Sequence, residues 1–128
     1  MKDMIDIVYE AIRADPRLVE LAGDRIYKYD FPQSANHRSL RIVITPLGPP
    51  EGSTGGSDDV LAWQFTYQVN VEGPSRKELK EAQHHVQQVM AGYLFAQMTG
   101  GLDEQLDTGG FVDARRYRGN TKIYDTDY

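Results

Sequence analysis

The sequence predicts an α+β domain: an antiparallel β-sheet of about four to five strands with helices packed on one face. Three observations carry this. Residues 61–72 alternate, with Leu61, Trp63, Phe65, Tyr67, Val69 and Val71 on one side and Ala62, Gln64, Thr66, Gln68, Asn70 and Glu72 on the other. That is the period of a strand with one buried and one wet face. Residues 75–97 carry apolar side chains at helical spacing behind a capping signal. The elements follow one another as α, α, β, β, β, α, β, β, without the strand–helix–strand repetition of a parallel sheet.

In chain order, residues 3–14 form a short amphipathic helix, because Ile5, Val8, Tyr9 and Ile12 fall at i, i+3, i+4 and i+7. Asp15 and Pro16 supply an N-cap and a first-turn proline for a second helix. Leu18, Val19 and Leu21 are expected as its buried side, and Gly23 as its stop. A short strand is expected at 25–29, then a loop at 30–39. Residues 40–47 are rich in β-branched types, with Pro46 marking an edge or strand end.

The stretch 48–59, with four Gly, two Pro and two Ser, reads as a flexible hairpin tip. The strand that follows is long enough for part of it to project as a hairpin arm. Ser75 and Glu78 then form a capping box after Pro74. The helix is expected to run to Gln97, burying Leu79, Ala82, Val86, Val89, Met90 and Tyr93, with Gly100 and Gly101 ending it. Strands at 111–118 and 121–124, joined by a turn at Gly119 and Asn120, close the fold as a hairpin. Residues 125–128 read as a frayed tail.

At 128 residues the chain supports one domain with one core. No apolar run reaches the ~20 residues of a membrane helix, and the N-terminus shows no secretory pattern. With no cysteine, disulfides and thiolate chemistry are excluded, and synthesis in the cytosol fits. Lys and Arg total 14 against 19 Asp and Glu, a net charge of −5. Proteins that grip phosphate backbones are usually basic, so the balance disfavours a nucleic-acid binder.

No motif for catalysis, cofactor or metal emerges. His84 and His85 are helix neighbours about 100° apart and cannot share one ion as an i, i+4 pair would; His37 lies in a loop. They read as solvated side chains. The glycine run near Gly52 lacks the Lys-Ser/Thr of a phosphate loop, and no nucleophile elbow occurs. Asp58 with Asp59, and Asp103 with Glu104, are acidic pairs that nothing places around a cleft. The one dense cationic segment is Arg115, Arg116, Tyr117 and Arg118, with Lys122 beyond. Alternation sends Arg115 to one face and Arg116 and Arg118 to the other, where acids on neighbouring strands or subunits pair with them. The alternative is an RNA-directed enzyme or nucleic-acid binder that uses Arg and Tyr to clamp and stack.

Several phrases, in order along nearly the whole chain, resemble the small tail-completion (tail-terminator) proteins of long-tailed bacteriophages of Gram-positive bacteria. They are the opening helix from Ile5 to Ile12, the phrase Leu21-Ala-Gly-Asp-Arg-Ile-Tyr27, the strand 41–47 and the strand ending Gln68-Val-Asn-Val71. The capped helix at Ser75 and the closing Asp113-Ala-Arg-Arg-Tyr-Arg-Gly119 complete them. The resemblance implies a structural, non-enzymatic protein: a homo-oligomeric ring, typically a hexamer, that caps the tail tube and joins it to the head connector. It implies a tail-tube protein and a head-connector protein as partners, assembly in the host cytoplasm and residence at the head-proximal end of the tail. An acidic lumen would let DNA pass without specific binding. It carries over no catalytic, cofactor or metal residue.

The candidate contact residues are therefore surfaces. Gly52, Gly55, Gly56, Asp58 and Asp59 at the tip, with Gln64, Gln68 and Asn70 on the long strand, are candidates for subunit or tube contact. Arg115, Arg116 and Arg118 are candidates for pairing between subunits. Trp63, Phe65 and Tyr67 are expected in the core. A head–tail connector component, and an interaction module with no phage role, are the remaining alternatives.

Overall fold

The computed structural model describes residues 3–29, 39–53, 62–107 and 109–122. Helices α1 (Met4–Arg13) and α2 (Pro16–Ala22) lead into strands β1 (Ile26–Lys28), β2 (Arg41–Pro46), β3 (Glu51–Ser53) and β4 (Ala62–Gly73). Helix α3 (Arg76–Gly92) and strands β5 (Phe95–Gln105) and β6 (Phe111–Lys122) follow. The six strands form one sheet in the order β1-β2-β4-β6-β5, with β3 also on β4. All pairings are antiparallel except β1 with β2, which is parallel. The mixed α+β architecture expected from the sequence is present.

The caps form as expected. The Asp15 carboxylate accepts from Arg17 N at 2.9 Å and Leu18 N at 3.0 Å, and Ser75 Oγ accepts from Glu78 N at 3.4 Å. Each satisfies backbone donors that a helix start leaves open. The three helices cover one sheet face, where Val8, Ile12, Leu18, Leu79, Val86 and Met90 meet Ile42, Ile44, Phe65, Tyr67, Val69 and Val71 in one core. The phase of the alternation in β4 is as expected; Trp63, at the strand's start, is only partly buried against that core.

Three expectations are corrected. Helix α3 does not reach Gln97: it stops at Gly92, and Tyr93 and Leu94 make a tight turn with Leu94 at φ +66. Phe95 then enters β5, its ring 5.7 Å from that of Tyr67, so tertiary burial overrides the helical pattern that extended past 92. Tyr93, expected in the buried stripe, is 45% exposed. Second, Gly100 and Gly101 do not end a helix. Both lie at φ +107 in a bulge where β5 shifts register against β6. Third, Gly119 and Asn120 make no turn: β6 runs straight through them, paired with β4 from Phe111 to Lys122. Glycine is needed at 119 because a Cβ there would stand 2.7 Å from the Phe95 ring.

β4 does not extend as an unpaired arm, since every residue from Ala62 to Gly73 has a β6 partner. Its other edge is shared by β2 and β3, which succeed each other along it. Part of the expected tip is thus strand β3; residues 54–59 of it, Val60 and Leu61 before β4, the loop 30–38 with His37, and the tail 125–128 lie outside the described residues.

Candidate functional site on the sheet face away from the helices

The strand register places the side chains of the other sheet face in rows across three or four strands. One row runs Thr45, Gln68, Arg116, Met98, and the next Thr66, Arg118, Ala96. On the other side of the first lie Val43, Asn70, Ala114, Leu102, and then Arg41, Glu72, Val112, Glu104. Val43, Val112 and Ala114 are buried yet stand outside the main core. The surface over them is mixed: amides, hydroxyls and guanidinium groups with an exposed Leu102.

Polar side chains here are organised by one another. Arg116 Nε donates to Gln68 Oε1 at 3.2 Å, and Gln68 Nε2 donates to Asn70 Oδ1 at 3.0 Å. Arg41 Nε stands 3.3 Å from Glu72 Oε2. Held this way, the amides and guanidinium lose less freedom on meeting a partner, which favours a contact surface. Gln64, Gln68, Asn70, Arg116 and Arg118 all fall on this face, so the structure brings together five of the candidates that the sequence singled out. Gly52 sits in β3 opposite Trp63. Gly55, Gly56, Asp58 and Asp59 lie outside the described residues.

Arg115 points the other way, toward the helices. Its Nε donates to Asp113 Oδ1 at 3.0 Å and its Nη1 to Gln97 Oε1 at 3.4 Å. The cationic segment is therefore split between two faces rather than presented as one patch. Asp113, almost wholly buried, also receives Lys80 Nζ at 2.5 Å, while Lys80 reaches Asp103 at 2.6 Å and Arg76 reaches Asp103 at 2.7 Å. Hydrogen bonds from Arg76 and Lys80 hold the Asp103 carboxyl down at about 2. Burial works against the Lys80 ammonium, but its bonds to Asp103 and Asp113 outweigh this and raise its pKa. Lys80, Gln97, Asp103, Asp113 and Arg115 line an open groove of about 440 Å³ between α3 and the β5 bulge. Sequence reading missed this groove because it placed residues 94–97 in the helix; two adjacent glycines after an apolar pair were the available signal for a bulged strand.

Beneath α3 lies a second arrangement the sequence did not reveal. Gln83, fully buried, donates through Nε2 to the carbonyls of Val69 and Asp113, each at 2.8 Å, and accepts from Tyr117 Oη. It is a polar residue on the buried side of the helix, legible only as an interruption of the apolar stripe. His84 meets Gln88 at 3.2 Å, and His85 Nδ1 lies 3.6 Å from Asp15. Among the described residues, no three His, Cys, Asp or Glu side chains gather as a metal ion requires. None of the described helices is long and apolar enough to cross a membrane. A smaller cavity of about 160 Å³ lies between Ile5, Tyr29, Pro46, Phe65 and Tyr67.

No protein-family model matches the sequence, and no curated protein matches it. Among solved structures, the fold is similar to that of a chain in the virion of a native gene transfer agent particle, with a TM-score of 0.62. The two chains are 14% identical, and the likeness covers 90% of this chain and 91% of that one. At that identity the likeness speaks for a shared fold.

Proposed function

We propose that this protein is a structural component of a virion of the tailed-phage type, working through protein surfaces rather than by catalysis. The observation that carries the reading is the near end-to-end fold likeness to a chain of a gene transfer agent virion. It agrees in kind with the sequence resemblance to tail-completion proteins, which was drawn from different features. Within that reading, the chain forms a homo-oligomeric ring, of six copies in the finer version, that caps the tail tube and meets the head connector. DNA passes through it without specific contact. Its partners are further copies of itself, the tail-tube protein and the connector, and its place is the virion after assembly in the host cytoplasm.

The sheet face described above supports a contact role. It is mixed in polarity, its amides are pre-ordered, and its cations suit an acidic neighbour in an acidic chain. A ring requires contacts between two different patches that close on themselves. The nucleic-acid reading loses support from the split of Arg115 from Arg116 and Arg118, because a clamp on one strand of phosphates needs them on one side.

Native mass spectrometry of the purified protein, alone and with tail-tube protein, tests the reading. A closed oligomer in either sample is expected, and Arg118→Glu with Gln68→Glu should weaken it while leaving the thermal midpoint nearly unchanged. A protein that stays monomeric in both samples would overturn the reading. Salt-sensitive RNA binding lost on Arg116→Ala with Arg118→Ala would favour the alternative.

A further inference from the structure

The turn after α3 presents an apolar side chain at a conformational cost. The helix ends at Gly92, and Leu94 lies two residues on at φ +66, its backbone N–H donating to Ala91 O at 3.0 Å. Helices commonly place a glycine in that left-handed position, where a leucine is unfavourable. Leu94 and its neighbour Tyr93 are both exposed. They form an apolar knob at the start of β5, the outermost strand on that flank of the sheet.

The opposite flank holds a socket. Beside the end of β2, the cavity of about 160 Å³ has buried Ile5, Phe65 and Tyr67 as its floor and exposed Tyr29, Pro49 and Pro50 at its rim. An apolar cavity of roughly 150 Å³ accepts a group the size of benzene, so a leucine side chain fits. The strand register sets knob and socket at one level. Phe65, Gly119 and Phe95 make one row across β4, β6 and β5; Phe65 belongs to the socket, and Phe95 follows Leu94 directly. A contact between the two therefore steps sideways across the strands with little travel along them. Joining two different patches at one level suits a closed ring, whereas travel along the strands would wind a filament.

Charge points the same way. Arg118, exposed, lies in the next row beside Ala96 of β5, close to the knob. Near the socket stand Asp3, in the cavity wall, and exposed Glu51, which follows Pro50 and pairs with Gln64. Among the described residues neither Arg118 nor Glu51 forms an ion pair. We propose that Leu94 and Tyr93 of one copy seat in the socket of a second copy, with Arg118 of the first facing Glu51 of the second. The strained leucine then gains in the assembly the burial it lacks in the single chain. The inference rests on the self-association proposed above and names the residues that carry one of its contacts.

Sedimentation of the full chain, alone and with tail-tube protein, tests it. Leu94→Gly relieves the turn and keeps the fold, so weaker association in this variant reports the lost side chain. A weakening of about tenfold or more is expected, in line with what a buried leucine contributes. Arg118→Glu should weaken association severalfold, and Glu51→Arg added to it should restore association. A Leu94→Gly oligomer as strong as the wild type overturns the inference and leaves the ring reading standing. A wild-type chain that stays monomeric in both samples overturns the ring reading, and the inference with it. Because the chain has no cysteine, the single variants Leu94→Cys and Pro49→Cys can be mixed and oxidised. A disulfide between the two variants is expected. Its absence from an oxidised oligomer, or Leu94→Cys joined only to itself as in a two-fold contact, overturns the inference.

Discussion

The Tyr117 hydroxyl donates to Gln83 Oε1 at 3.0 Å, joining the buried side of α3 to the central sheet through a polar contact. Gln83 passes that tie on to the carbonyls of Val69 on β4 and Asp113 on β6. A buried amide with all its groups occupied fixes how a helix sits on a sheet, whereas apolar packing alone tolerates sliding. Removing Gln83 strands the groups it serves. Gln83→Leu should cost about 2–3 kcal/mol in urea unfolding, and Tyr117→Phe about 1–2 kcal/mol, with the double variant costing less than the sum. Strict additivity would show that the two side chains do not depend on each other.

The glycines of the bulge and of the helix end should respond in opposite directions. At Gly101 the backbone is at φ +107 and a Cβ would strike Ala114 O, so Gly101→Ala should cost about 3 kcal/mol or more. At Gly92, the last residue of α3, a Cβ meets nothing within 4 Å, and Gly92→Ala should gain roughly 0.4–1 kcal/mol. Thermal unfolding of both variants checks the bulge assignment; a harmless Gly101→Ala would contradict it.

Leu94 combines two unfavourable properties. It sits at φ +66 and is 79% exposed, so it gains little burial in return for the strained backbone. Leu94→Gly should raise stability by about 1 kcal/mol, the strain of a left-handed non-glycine residue. A loss of stability would mean that the leucine makes a packing contribution the turn geometry conceals.

Core depth along β4 grades the cost of truncation. Phe65 is 4% exposed and stacks on Tyr67 with ring centroids 6.3 Å apart. Phe65→Ala should therefore cost about 3–5 kcal/mol, while Trp63→Ala, whose indole is only partly buried, should cost about half as much. Equal losses would place the indole deeper than its partial burial indicates.

Alkaline pH should weaken the fold through its buried phenols. Burial pushes the Tyr117 phenol up to about 12 and raises that of Tyr67 as well. A group whose folded pKa lies above its unfolded value of about 10 contributes fully below pH 10, and its contribution is lost as pH rises through the folded value. Stability should fall between about pH 10 and 12, with tyrosinate absorbance appearing together with unfolding and Tyr117→Phe flattening the slope. At the acid end the sign reverses. Asp103, held at about 2, keeps its contribution above about pH 4 and loses it as pH drops toward 2. The effect there is small because that side chain is half exposed.

Local chemistry made much of this fold legible. The Asp15–Pro16 and Ser75 helix starts were readable because a cap is a contact between residues two or three apart. The β4 faces were readable because alternation reports burial directly. The same local logic failed at 93–101, where a helical pattern continued past Gly92 but Phe95 found a better site over Gly119 and beside Tyr67, two partners remote in sequence. It failed at Gly119 for the mirror reason: a glycine that admits an aromatic ring looks, in one dimension, like a turn. The candidate face was half legible. Periodicity put Gln64, Gln68 and Asn70 together and separated Arg115 from Arg116 and Arg118, but the groove at Arg115 depended on a strand the sequence did not disclose.

By itself, then, the sequence determined the class of the domain, its helix starts, the buried side of its long strand and the absence of cysteine chemistry. Each of these is set by residues close along the chain or by composition. The tertiary structure alone decided the order of the strands, the bulge at Gly100 and Gly101, the Gln83–Tyr117 tie and the charged groove. Those rest on which distant segments bury one another best, and that competition is settled by three-dimensional packing.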